Sequence, residues 1–127
     1  MTLFNLSKTG FILSISSIIA GAVVRATGSG DGCGSSWPSC NGQVIPSLNS
    51  ASEQIEFSHR SISGLLLIVT LLIFIKSFHP SVPNIQKKVI KYLTFFVLFE
   101  ALIGAVIVLY EWVGMNSSLP RVAAVPL

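Results

Sequence analysis

Three long apolar stretches organise the chain: Leu6 to Ala26, His59 to Phe78 and Val89 to Trp112. Their charged residues sit in the first or last turns, and Glu100 is the exception, about half-way along the third stretch. A helix that crosses a hydrocarbon core of about 30 Å needs about 20 largely apolar residues, and each stretch has that length. The runs are continuous rather than alternating, which favours helices over barrel strands as the way to satisfy backbone polar groups in lipid. The pattern predicts an all-α membrane protein with three transmembrane helices in a single membrane domain, residues 1–127. The connections are an outer loop over 27–58, an inner loop over 79–88, and a tail over 113–127 that turns apolar again and leads toward a further span.

The signs of the charges give an orientation. Lys8 precedes the first span, and Lys76, Lys87, Lys88 and Lys91 flank the second connection. The positive-inside rule therefore places the N-terminus and that connection in the cytoplasm and the 27–58 loop outside. The chain has 8 basic and 5 acidic residues, a net charge of +3, yet the basic residues line membrane borders and form no surface suited to nucleic acid. A cleaved signal peptide is the competing reading of the first stretch, with Lys8 as its basic part, Phe11 to Ile19 as its apolar part and Ala20-Gly21-Ala22 as the cleavage site. The apolar run continues through Val23 and Val24 to Arg25, which looks like a helix end with a snorkelling cation.

The candidate chemistry gathers near the outer face. Glu56, His59, Arg60 and Ser63 are three and four residues apart and share one helical stripe. Neutral imidazole is a strong iron ligand. Glu56 could orient the ring or move a proton, and Arg60 could pair with an acidic group of a macrocycle. Gly64 removes bulk on the same stretch. The plainer reading is an interfacial His with a Glu–Arg pair anchoring the helix end. Both cysteines, Cys33 and Cys40, lie in the outer loop, where a disulfide persists, and would close a small ring around Trp37-Pro38. That bond is either structural or, if exposed and strained, a thiol-exchange site; the spacing is not a zinc pattern. Glu100, at its depth, points to a bundle interior, a polar cavity or a helix-to-helix hydrogen bond, and Gly104 one turn on marks a close-packing face. Ser14, Ser17 and Gly21 on the first span, with Arg25 at its end, permit close helix approach. His79, on the inner side, needs no role.

Two blocks resemble the haem A synthases. One runs from Gly21-Ala22-Val23-Val24-Arg25-Ala26-Thr27-Gly28-Ser29-Gly30 through Gly32-Cys33 to Trp37-Pro38-Ser39-Cys40-Asn41-Gly42; the other is Ile55-Glu56-Phe57-Ser58-His59-Arg60. Their order and spacing, within about residues 10–112, are similar to that family's first span, outer loop and second span. The resemblance implies an integral membrane oxidoreductase that converts haem O to haem A, oxidising a ring methyl to formyl for terminal oxidases. It implies eight spans in two pseudo-symmetric four-helix halves, the first handling substrate haem and the second holding haem b. This chain then corresponds to an incomplete four-helix half-bundle. His59 takes the place of an axial ligand to haem iron and Glu56 that of the acidic residue beside it. Arg60 and Arg25 are candidate haem contacts, and Cys33 and Cys40 match the outer-loop pair. Glu100 stands where the family more often has a neutral amide, and the opposing His would open a fourth span just beyond Leu127. The implied partners are haem O and haem A, the remaining helices or a second copy, haem O synthase and oxidase assembly factors. The implied place is a bacterial-type cytoplasmic membrane, crossed several times. A non-enzymatic packing subunit and an outer-face thiol–disulfide oxidoreductase are the rival functions.

Overall fold

The computed structural model describes residues 1–110 and contains three helices: α1 over Leu3–Ala26, α2 over Ala51–Ser77 and α3 over Asn84–Leu109. All three are long and apolar enough to cross a membrane, as the hydrophobic pattern predicts. The expected tail over 113–127, with Trp112, lies outside the described residues. At 27 residues, α2 is about 40 Å long. It begins at Ala51, well before the apolar run that opens at His59, so its first two turns rise beyond a hydrocarbon core of about 30 Å. The Glu56–Arg60 motif therefore lies inside a formed helix rather than at its first residues.

Local chemistry sets the helix ends. The Thr2 side chain accepts a hydrogen bond from the Asn5 N–H at 3.2 Å and caps α1. At its other end Gly28, at φ +64°, reverses the chain, while the Ser29 N–H returns to the Val24 carbonyl at 2.9 Å. The Ser50 hydroxyl caps α2 by accepting from the Glu53 N–H at 3.3 Å. Pro83 precedes α3, where the lack of an N–H costs nothing because the first helical donors have no intrahelical partner.

Among the described residues α2 is the central element: it packs against both α1 and α3, which do not pack on each other. The N-terminal ends of α1 and α3 flank an open apolar groove of about 510 Å³ between Leu3, Phe4, Ile85 and Val89. The buried interior is thin and partly polar. Leu6 and Ile73 are buried apolar residues of the helices, beside buried Thr70, Ser77 and Thr94. Each of these hydroxyls donates to a carbonyl of its own helix: Thr70 to Leu66 at 2.8 Å, Ser77 to Phe74 at 2.6 Å and Thr94 to Ile90 at 2.8 Å. Small groups bring the backbones together, since a Cβ on Gly10 would already touch Ile73 and Val69 at 3.5 and 3.6 Å. The larger side chains, Phe11, Ile18, Phe95 and Leu102 among them, point outward, as expected where lipid rather than water is the solvent.

Candidate functional site

Between α1 and α2 the chain folds into a loop closed by the Cys33–Cys40 disulfide, with Cα atoms 4.4 Å apart. An antiparallel bridge pairs Cys40 with Gln43, and Asn41 turns the chain at φ +49°. The ring is pressed onto the start of α2. A Cβ on Gly32 would lie 2.6 Å from the Ser52 backbone, so only glycine allows this approach. Glu53 pins the loop from the helix side: one carboxylate oxygen accepts from Asn41 Nδ2 at 3.1 Å and the other from the Ser47 N–H at 2.9 Å. Glu53 was not singled out by sequence reasoning, although the Ser50-x-x-Glu53 spacing of a capping box marks it as a helix-start residue.

The expected stripe on α2 is present, and its members do different things. Glu56 is 4% exposed. Its Oε2 accepts the Cys33 N–H at 2.7 Å, and its Oε1 is paired with Arg60 Nη2. Arg60 also donates through Nη1 to the carbonyls of Ser36 and Ser39 at 2.6 and 2.8 Å. A buried carboxylate is tolerable here because both oxygens have a donor and the charge has a partner.

One turn along, His59 lies against α1. Gly21 faces the ring, and a Cβ there would stand 3.2 Å from Cε1. The His59 Nδ1 is buried with no partner among the described residues. Ser63 extends the line: its hydroxyl and that of Ser17 share a hydrogen bond of 2.8 Å. The structure thus brings Glu56, Arg60 and both cysteines into one cluster, and His59 and Ser63 into the adjoining α1–α2 seam. Ser17 and Gly21, read from the sequence as packing residues, are the partners of that seam.

Other candidates lie apart. Arg25 is exposed in the last turn of α1. Glu100 and Gly104 are exposed on α3, and a Cβ on Gly104 would meet nothing within 4 Å. The close-packing face expected at Gly104 is therefore open, because no described helix stands against it. Gly64 on α2 is open in the same way. The thiol-exchange reading expected an exposed disulfide, but Cys33 and Cys40 are 0% and 1% exposed, so an incoming thiolate has no approach without movement of the loop.

Among the described residues no group of three or more His, Cys, Asp or Glu side chains could hold a metal ion. What the seam offers is a single imidazole with one unsatisfied buried nitrogen. Leaving such an atom unpaired costs about 1–3 kcal/mol, a cost that coordination removes. These residues fit one axial ligand of a haem better than a cage for a bare ion.

Comparison with known proteins points the same way. The family model described as cytochrome oxidase assembly protein matches residues 5–55. The chain is 40% identical over 97 residues to a haem A synthase of an Exiguobacterium species, covering 74% of this chain and 32% of that protein. It is 42% identical over 107 residues to the haem A synthase of Macrococcus caseolyticus, covering 80% of this chain and 34% of that one. A protein of Thermus thermophilus named protohaem IX farnesyltransferase is 42% identical over 107 residues, 80% of this chain and only 17% of its own length. The chain thus spans about a third or less of these relatives. No solved structure matches it. With the family model matching its first span and loop, this integral membrane chain is similar, over about three quarters of its length, to part of the haem A synthases of Exiguobacterium, Macrococcus and Staphylococcus.

Proposed function

We propose that this chain supplies the substrate-haem side of a haem A synthase, which oxidises a ring methyl of haem O to the formyl group of haem A. The observation that carries the reading is the His59 imidazole, with its Nδ1 buried and unpartnered beside a glycine of the neighbouring span. A bound haem would supply the redox chemistry through its iron.

The residues of this chain bind, orient and hold charge. His59 would hold the haem iron through its imidazole, with the ring positioned by the close face of Gly21. Glu56 holds a carboxylate one turn nearer the loop, where it can accept a proton or balance positive charge near the ligand. Arg60 keeps that carboxylate in place. Arg25, in the last turn of α1, is the other basic candidate for an acidic haem substituent. The open strips at Gly64 and Gly104 give a flat macrocycle or a further helix close access to the backbone.

The remaining features of the reading come from the family. Haem b and a further ligand to the substrate haem would come from parts of the longer protein, for which the relatives' extra length has room. The name carried by the Thermus relative makes a haem O synthase a natural partner, since its product would be the substrate here. The lysines support a topology with the N-terminus and the 79–88 connection on the cytoplasmic side of a bacterial-type membrane and the disulfide loop outside.

The test is a haem absorption spectrum of the purified protein at the relatives' length. A haem O contribution to the Soret band, lost in His59→Ala while the haem b contribution persists, and retained in a surface variant such as Ser61→Ala, is the expected result. An unchanged band in His59→Ala would sink the ligand assignment.

A further inference from the structure

The disulfide ring and the Glu56–Arg60 pair form one hydrogen-bonded unit. The backbone donor to Glu56 belongs to Cys33 itself, and the carbonyls that receive Arg60 Nη1 belong to Ser36 and Ser39, inside the closed ring. The Arg60 and Glu56 side chains are 11% and 5% exposed, so these bonds are shielded from competition by water. A planar guanidinium can serve a carboxylate and two carbonyls at once because its donors diverge in a fixed plane. With its Nη atoms committed in this way, Arg60 is a fastener between loop and helix before it is anything else.

We infer that Arg60 is a positioning residue that ties the disulfide-closed loop to Glu56, so that the state of the Cys33–Cys40 bond sets how Glu56 is held above His59. This rests on reading Glu56 and His59 as the site, but the loop half of the claim can be measured without haem. Closing the ring restricts the backbone between residues 33 and 40, and that restriction keeps three polar groups aimed at Glu56 and Arg60. When the bond is reduced, two thiols form from two electrons and two protons, and a dithiol reductant is oxidised to its own disulfide. The loop then gains freedom, and its bonds to Arg60 and Glu56 must compete with water. The coupling is reciprocal: whatever loosens Arg60 must also make the bond easier to reduce.

The experiment measures reduction of the Cys33–Cys40 bond by dithiothreitol in the chain reconstituted in nanodiscs, read by maleimide labelling. Arg60→Gln should speed reduction by about tenfold, a factor equivalent to roughly 1.4 kcal/mol. Arg60→Lys, which keeps the charge opposite Glu56 but cannot serve both carbonyls, should fall between. Ser61→Ala, on the same turn and exposed, should match wild type. Equal rates in wild type and Arg60→Gln overturn the inference, whatever the protein binds. The second measurement uses the haem-loaded protein at the relatives' length: reduction of the bond should shift the Soret band in wild type and not in Arg60→Gln. A shift of the same size in both overturns the coupling to His59. Haem retained in His59→Ala would instead count against the ligand reading and leave the reduction rates to be judged alone.

Discussion

At the scale of single residues, the site is a set of satisfied polar groups around one unsatisfied atom. Glu56 has a donor on each oxygen, Arg60 has three acceptors, and His59 Nδ1 has none among the described residues. This contrast separates the roles that the sequence stripe offers without ranking. Glu56→Gln keeps the size of the side chain but removes its charge and proton-accepting capacity. In the protein at the relatives' length it should leave haem retention close to wild type while lowering conversion of haem O by at least about a hundredfold, the scale of a lost general base. Parallel measurement of bound haem and of haem A by pigment extraction checks it, and full conversion by Glu56→Gln would remove the proton-handling role. Gly21→Leu acts from the other side. A Cβ there already stands 3.2 Å from the ring, and the added isobutyl group must push His59 out of the seam. Haem retention should fall to the level of His59→Ala even though the imidazole is still present, whereas Ala22→Leu, on the exposed neighbour, should retain haem.

At the scale of elements, the spans and the cysteine pairing were legible, and the docking of the loop on α2 was not. Apolar runs of span length have few alternatives in a membrane, and all three appear as helices. The start of α2 was obscured because residues 51–58 are polar, and their helicity comes from the Ser50 cap and from docking of the disulfide ring rather than from hydrophobicity. The stripe Glu56-His59-Arg60-Ser63 followed from spacing alone. That Arg60 turns to Ser36 and Ser39 while Ser63 turns to Ser17 did not, because both are contacts between segments distant in sequence. Glu100 illustrates the limit of depth as a signal: its position along the span was plain, whereas what faces it depends on helices packed beside α3. Two expectations belong to this scale. Replacing Cys33 and Cys40 together by serine should destabilise the loop by about 2–3 kcal/mol, as for other short closed rings, and hydrogen exchange should rise at the Cys33 and Ser47 amides while the middle of α2 stays protected. Equal protection of those amides would show that Glu53 and Gly32 hold the loop without the bond. Ser17→Ala and Ser63→Ala should each cost about 1 kcal/mol against denaturation in detergent, and the double variant should cost little more than either, because the two hydroxyls share one hydrogen bond. Strict additivity would mean that the bond contributes nothing.

At the scale of the whole molecule, orientation follows from an asymmetry that the fold preserves. The disulfide loop lies at the C-terminal end of α1 and the N-terminal end of α2, and the connection between α2 and α3 lies at the opposite end of the same central helix. Lys76, Lys87, Lys88 and Lys91 all belong to that second end, and Lys8 lies near the N-terminal end of α1 on the same side. The loop between α1 and α2, residues 27–50, carries Asp31 and no lysine or arginine. A positive cluster on one face and a disulfide-bonded loop free of basic residues on the other predict the loop outside, where oxidation keeps the bond closed. The native cysteines are bonded and buried, so single introduced cysteines report position without interference. Leu48→Cys replaces a side chain 85% exposed at the loop surface, and Ser81→Cys sits in the exposed turn between α2 and α3. In intact cells a maleimide that cannot cross the membrane should label Leu48→Cys and spare Ser81→Cys, and inverted vesicles should reverse the pattern. The opposite pattern would set the lysines outside and the disulfide in a reducing compartment. The family's fold could survive that outcome, but the bond that fastens Glu56 would then not persist, and the site as built here would lose its support.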